Sequence, residues 1–150
     1  MNNPRLNIAL LLALLGAVGA APPPPQTQPS SKPDTFRKNT VWRGREMNEQ
    51  RNKSWSASVR VIKRDGEKVT FNFWTQSDDG RKGAQIEGTV IDGQIKAKAT
   101  KKLPGDEWHE TIAGSFFSGT VDGNKLVLNR KSQHGGALRA EMTLQEKEKE

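Results

Sequence analysis

Ile86-Glu-Gly-Thr-Val-Ile-Asp-Gly-Gln-Ile-Lys-Ala-Lys-Ala99 reads as two β-strands with a turn between them. Ile86, Gly88 and Val90 alternate with Glu87 and Thr89; past the turn, Ile95, Ala97 and Ala99 alternate with Lys96 and Lys98. A period of two sends alternate side chains to opposite faces of a pleated strand. Asp92-Gly93 joins the halves, and both residues tolerate the positive φ that a two-residue hairpin demands. The segment predicts a hairpin with one apolar face.

The same grammar extends in both directions. Upstream, Trp55 to Arg64 carries Trp55, Ala57, Val59 and Val61 on one face, against Ser56, Ser58 and Arg60. Asp65-Gly66 turns the chain into Lys68 to Gln76, with Val69, Phe71 and Phe73 inward, and Ser77-Asp78-Asp79-Gly80 turns it again before inward Ala84. An earlier strand is expected over Asn39 to Glu46, around Val41 and Trp42. Downstream, Pro104-Gly105 ends the fifth strand. A sixth falls within Trp108 to Val121, a seventh over Lys125 to Arg130 and an eighth over Ala137 to Gln145. Asp122-Gly123-Asn124 and His134-Gly135-Gly136 join these last three. Phe117-Ser-Gly-Thr-Val-Asp-Gly123 repeats the pattern of Ile86 to Gly93, which sets Phe117, Gly119 and Val121 inward. Ile112 then falls out of phase, predicting a bulge or a strand start near Gly114-Ser115. No stretch has a helical period.

Eight strands joined in sequence form an up-and-down antiparallel meander, which hides its edges best by closing into a small barrel. A Greek-key sandwich needs a long crossover, and only the polar stretch Met47 to Ser54 can supply one. The expected fold is therefore all-β, an eight-stranded meander closed as a barrel. The meander over Thr40 to Leu144 resembles the lipocalin and avidin type of small barrel. With Trp42-x-Gly44 near its start and its repeated Gly-Thr-Val/Asp-Gly hairpins, it is also similar to short, uncharacterised exported bacterial proteins. That resemblance implies the barrel and a small ligand, but no particular ligand. A biotin site of the avidin kind uses tyrosine, and this chain has none.

Ahead of the strands lie two segments of different character. Arg5 precedes the apolar run Leu6 to Ala21, which ends in small residues, the three-part pattern of a cleavable secretory signal. Residues 1–20 are read as that signal, with cleavage near Ala20 and a secreted or periplasmic destination. The apolar run is shorter than the ~20 residues of a membrane span and is followed by four prolines, so no membrane-spanning segment is expected after cleavage. Residues 21–38 are read as a proline-rich, disordered linker, 39–145 as the barrel domain and 146–150 as a charged tail. The chain has no cysteine, which excludes thiol catalysis, thiolate metal sites, disulfide staples and a lipid anchored at cysteine.

The 150-residue chain carries a net +7, and loss of Arg5 with the leader lowers it to +6. Lys and Arg are interspersed with Asp and Glu, a pattern that favours solubility and a modest attraction to anionic cell-surface polymers or lipid head groups. Export argues against nucleic acid as the partner. Asp106-Glu-Trp-His-Glu110 is the densest cluster of functional groups, but His109 and Glu110 point to opposite faces in a strand, so a polar strand entrance is expected. His134 reads as a loop residue, and Asp78-Asp79-Gly80 as a turn lacking the spaced ligands of a calcium loop. Asn52-Lys53-Ser54 matches a glycosylation acceptor in a polar, surface-like setting, a chance match in a bacterial protein. No nucleophile elbow or phosphate-binding glycine loop is present, so no catalytic residue, metal or cofactor is expected.

Two binding readings follow. In the first, inward Trp55, Phe71, Phe73 and Ala97 line a site for a small apolar or amphipathic molecule. In the second, the interior is filled and the protein contacts a cell-surface polymer or another protein through its outer face, using Trp74, Lys96 and Lys98. Small side chains on the fourth and fifth strands serve either reading, since they leave a cavity or let large residues interdigitate across it. Oligomeric state is left open.

Overall fold

The computed structural model describes residues 34–77, 80–104, 112, 114–131 and 136–145. It is an all-β closed barrel in which every strand pairs antiparallel with its neighbours in sequence and the last pairs with the first. The strands are β1 (Val41–Asn48), β2 (Lys53–Asp65), β3 (Lys68–Ser77), β4 (Gly80–Ile91), β5 (Gln94–Lys102), β6 (Phe116–Asp122), β7 (Lys125–Lys131) and β8 (Ala137–Gln145). One 3-10 turn, Glu49–Arg51, links β1 to β2; the Asn48 side chain caps it by accepting from the Arg51 N–H at 3.1 Å. Among the described residues no helix is long and apolar enough to cross a membrane.

The expected alternation sets the wall. Ala57, Val59 and Val61 of β2 are buried, as are Val69, Phe71 and Phe73 of β3, Leu126 and Leu128 of β7, and Ala140 and Met142 of β8. At one end, here the base, three two-residue turns follow β2, β4 and β6. In the middle one, Asp92 (φ 49°) and Gly93 (φ 76°) both adopt the left-handed conformation that matches strand twist in a tight hairpin. The repeated Gly-Thr-Val has a tertiary reason. A Cβ on Gly88 would lie 2.1 Å from the Lys96 carbonyl oxygen, and one on Gly119 would lie 2.0 Å from that of Val127. Glycine permits the close strand approach at both places.

Two register shifts, at Val61/Lys63 and at Gln85/Ile86, insert Ile62 and Thr100 as extra residues. Such bulges bend strands and help a sheet to close. The out-of-phase Ile112 is resolved as a strand start: β6 begins at Phe116, while Ile112 sits buried in the preceding turn and its carbonyl accepts from the Ser115 N–H. The first strand starts at Val41 and not at Asn39, because Asn39 has φ 70° and its N–H is spent on the Val61 carbonyl.

The core also takes in Phe36, which lies ahead of the expected start of the domain and is fully buried. A short strap holds it across the base. Asp34 Oδ1 accepts from the Phe36 N–H, Thr35 Oγ1 donates to the Gly123 carbonyl, and Asp34 faces Arg64 at 3.6 Å.

Candidate functional site

The four residues expected to line an internal site share the inward phase; Phe71 and Phe73 belong to the core, Ala97 packs against it and Trp55 is half-buried outside it. The Phe36 ring meets Trp42 at 6.0 Å and Phe71 at 5.5 Å between centroids. Phe117 meets Phe71 at 6.4 Å and Phe73 at 5.3 Å. Phe71 and Phe73 stand on β3 and Phe117 on β6, so their rings meet over the two strands between. Those strands carry Ala84, Gly88, Ala97 and Ala99, whose small side chains leave the room. Ala97 is half-buried, opposite Gly88 on one side and Phe117 on the other. Trp55, half-buried near the other end of the barrel, faces Glu46 across the β1–β2 pair.

That other end, the rim, holds the buried polar residues. Arg130 Nε donates to Glu46 Oε1 at 2.9 Å and Arg130 Nη2 donates to Glu46 Oε2 at 3.0 Å, and both side chains are almost wholly buried. The two residues are two strands apart, with Ala140 between them opposite Glu46. The small methyl lets the guanidinium reach over, and the two parallel bonds satisfy both carboxylate oxygens. Thr75 and Ser115 are the other buried polar residues described, and Thr75 Oγ1 has no hydrogen-bond partner there. The sequence carried a signal for this pair: Glu46 shares a phase with Trp42, and Arg130 with Leu126 and Leu128.

Two open grooves lie against the outside of the wall. One, of about 630 Å³, runs over β1, β2 and β3 to the start of β4, between Arg43, Ser56, Ser58, Arg60, Trp74 and Arg81. The half-buried Trp74 lies beneath the Arg81 guanidinium, whose carbon is 5.0 Å from the ring centroid. The second, of about 600 Å³, crosses β6, β7 and β8 near the 3-10 turn, with Met47, Phe116, Lys131 and Arg139 along it. Phe116 is the most exposed large apolar side chain described, at 56%, and Lys98 Nζ stands 5.2 Å from its ring centroid.

The expected outer set is thus divided. Trp74 belongs to the first groove among arginines. Lys98 belongs with Phe116, and Lys96 is exposed beside it on β5, opposite Thr89 and Ser118. Local alternation places Phe116, Arg43, Arg60 and Arg81 on the outward phase, but only strand pairing gathers them along the grooves. Asp78, Asp79, Asp106, Glu107, His109, Glu110 and His134 lie outside the described residues. Among the described residues no three His, Asp or Glu side chains gather as a metal site. Asn52 is exposed in a left-handed conformation at the end of the 3-10 turn.

No protein-family model matches the chain, and no curated protein matches it. The class is set by the architecture: a closed, antiparallel, eight-stranded meander barrel.

Proposed function

We propose that this chain is an exported, non-enzymatic binding module that contacts a cell-surface polymer through the outside of its barrel, its interior serving as the core. The observation that carries this reading is the run of ring contacts from Trp42 through Phe36, Phe71 and Phe117 to Phe73 across the interior. Those rings, each in contact with the next, pack the interior where an internal ligand would otherwise lie, and that supports the outer-wall reading. Both open grooves lie on the outer wall. Export rests on the apolar leader and its small-residue exit.

The test pairs two measurements on protein lacking residues 1–20. Native mass spectrometry should give the mass of the bare chain, and the protein should co-sediment with envelope polymer prepared from its source. Trp74→Ala should weaken the co-sedimentation, and so should the pair Lys96→Ala and Lys98→Ala. A stoichiometric apolar molecule carried by the natively purified protein, displaced by Phe73→Trp, would overturn the reading in favour of an internal ligand.

A further inference from the structure

The outer wall of β1–β4 is lopsided in charge. Its outward positions include Arg43, Arg45, Arg60, Lys63, Lys68 and Arg81, against two acids: Asp65, opposite Lys68 at the base, and Glu87, which already accepts from Gln85 Nε2 at 2.9 Å. Arg43 and Arg60 make no ion pair or side-chain hydrogen bond among the described residues, and both are exposed. The other half of the barrel is also basic, but mostly through lysine: Lys96, Lys98, Lys101, Lys125 and Lys131 are its outward cations on β5 and β7, and its outward arginine on β8, Arg139, is already paired with Glu141 at 2.8 Å. The distinction is chemical. A guanidinium offers a planar fork that fits a carboxylate or sulfate with two parallel bonds, whereas an ammonium acts as a hydrated point charge.

We propose that the groove around Arg43, Arg60 and Arg81 binds an acidic polysaccharide, one bearing carboxylate or sulfate groups along an extended hydroxylated chain. This deepens the outer-wall reading above and rests on it. Arg43 and Arg45 are two residues apart on one strand, about 7 Å along it. Arg60 is the diagonal neighbour of Arg43, about 7–8 Å away on β2. The cations therefore recur at intervals suited to acid groups borne on successive sugars. Ser56 and Ser58 stand between the arginines of β1 and the residues Gln76 and Trp74 of β3, offering hydroxyls to a hydroxylated ligand. Trp74 is a positioning residue here: its ring underlies Arg81 and fixes where that guanidinium points. With one face so occupied, Trp74 is a poor platform for base stacking, which single-stranded nucleic acids use for affinity. Among the described residues its exposed large apolar side chains are Ile62 and Ile91, on two strands that do not pair with each other, short of the continuous apolar face by which amphipathic surfaces enter a bilayer.

The experiment is titration of the protein lacking residues 1–20 with polygalacturonate oligosaccharides at physiological salt. Neutral dextran, a single-stranded oligonucleotide and phosphatidylglycerol vesicles are the comparison arms. Replacing Arg43→Ala and Arg60→Ala together should lower polygalacturonate affinity about tenfold or more. Arg43→Lys with Arg60→Lys should still lower it about threefold, because the charge survives and the fork does not. Lys101→Ala with Lys125→Ala removes equal charge elsewhere and should change it less than about twofold. Far-ultraviolet circular dichroism on each variant checks that the barrel is intact. Equal loss in the two alanine pairs, equal binding of dextran, or tighter binding of the oligonucleotide or vesicles would overturn the proposal. If envelope polymer is still bound after Arg43→Ala and Arg60→Ala, the acidic glycan falls and the outer-wall reading stands. If envelope polymer is not bound at all, both fall.

Discussion

At the base, two-residue turns follow β2, β4 and β6 and the Phe36 ring fills the opening; at the rim, residues 103–115 separate β5 from β6 and the buried polar side chains collect. The two ends thus close the same barrel by different physics. Hydrocarbon burial is non-directional and accumulates with area, so one aromatic ring can seal the base whatever its exact angle. A buried ion pair is directional, and desolvation offsets much of what it gains, so Glu46 and Arg130 add little net stability while fixing which strands face one another. The base supplies burial and the rim supplies register.

The largest expected effect breaks the base. Phe36→Ala should destabilise the barrel by about 3–5 kcal/mol in urea denaturation, since it leaves a cavity among Trp42 and Phe71. A chain beginning at Asp34 should keep full stability, and one beginning at Asn39 should lose as much as Phe36→Ala. Loss of less than about 1 kcal/mol in Phe36→Ala would show that the strap is not part of the folded unit.

Next comes the rim. Glu46→Gln leaves the Arg130 charge buried without its counterion and should cost about 3 kcal/mol. Combining Glu46→Leu with Arg130→Met should recover most of that loss, whereas Phe36→Ala has no such partner. A double-mutant cycle without coupling between Glu46 and Arg130 would erase the contrast between the two ends.

Smaller effects sharpen the comparison midway along the wall and at the turns. Gly88→Ala forces the Lys96 carbonyl and Ala97 away and should cost about 2 kcal/mol by denaturant midpoint. Gly93→Ala must hold φ near 76° and should cost about 1 kcal/mol. Phe116→Ala, at an exposed outer position, should change stability by less than about 0.5 kcal/mol while loosening the environment of Lys98, readable by NMR.

The wall was legible in the sequence because its evidence is local. Alternation over Trp55 to Val61 and Ile95 to Ala99, with Asp-Gly turns between runs, dictates which side chains share a face. Glu46 and Arg130 were legible in phase but not in meaning. That an inward acid and an inward base meet depends on β1 closing against β8, with Ala140 between them. The outer arginines were harder still. Arg43, Arg60 and Arg81 are spread over 39 positions and become one face only when β1, β2, β3 and β4 are laid side by side.

Periodicity and turn chemistry by themselves determined the all-β class, the strand order and the inner face, because each follows from steric preferences within a few residues. Tertiary structure alone decided that Phe36 plugs the base, that Glu46 pairs with Arg130 and that Phe71, Phe73 and Phe117 meet across the interior. Those contacts join residues far apart in the chain, and their partners are chosen only when ring closure sets the distance between opposite walls.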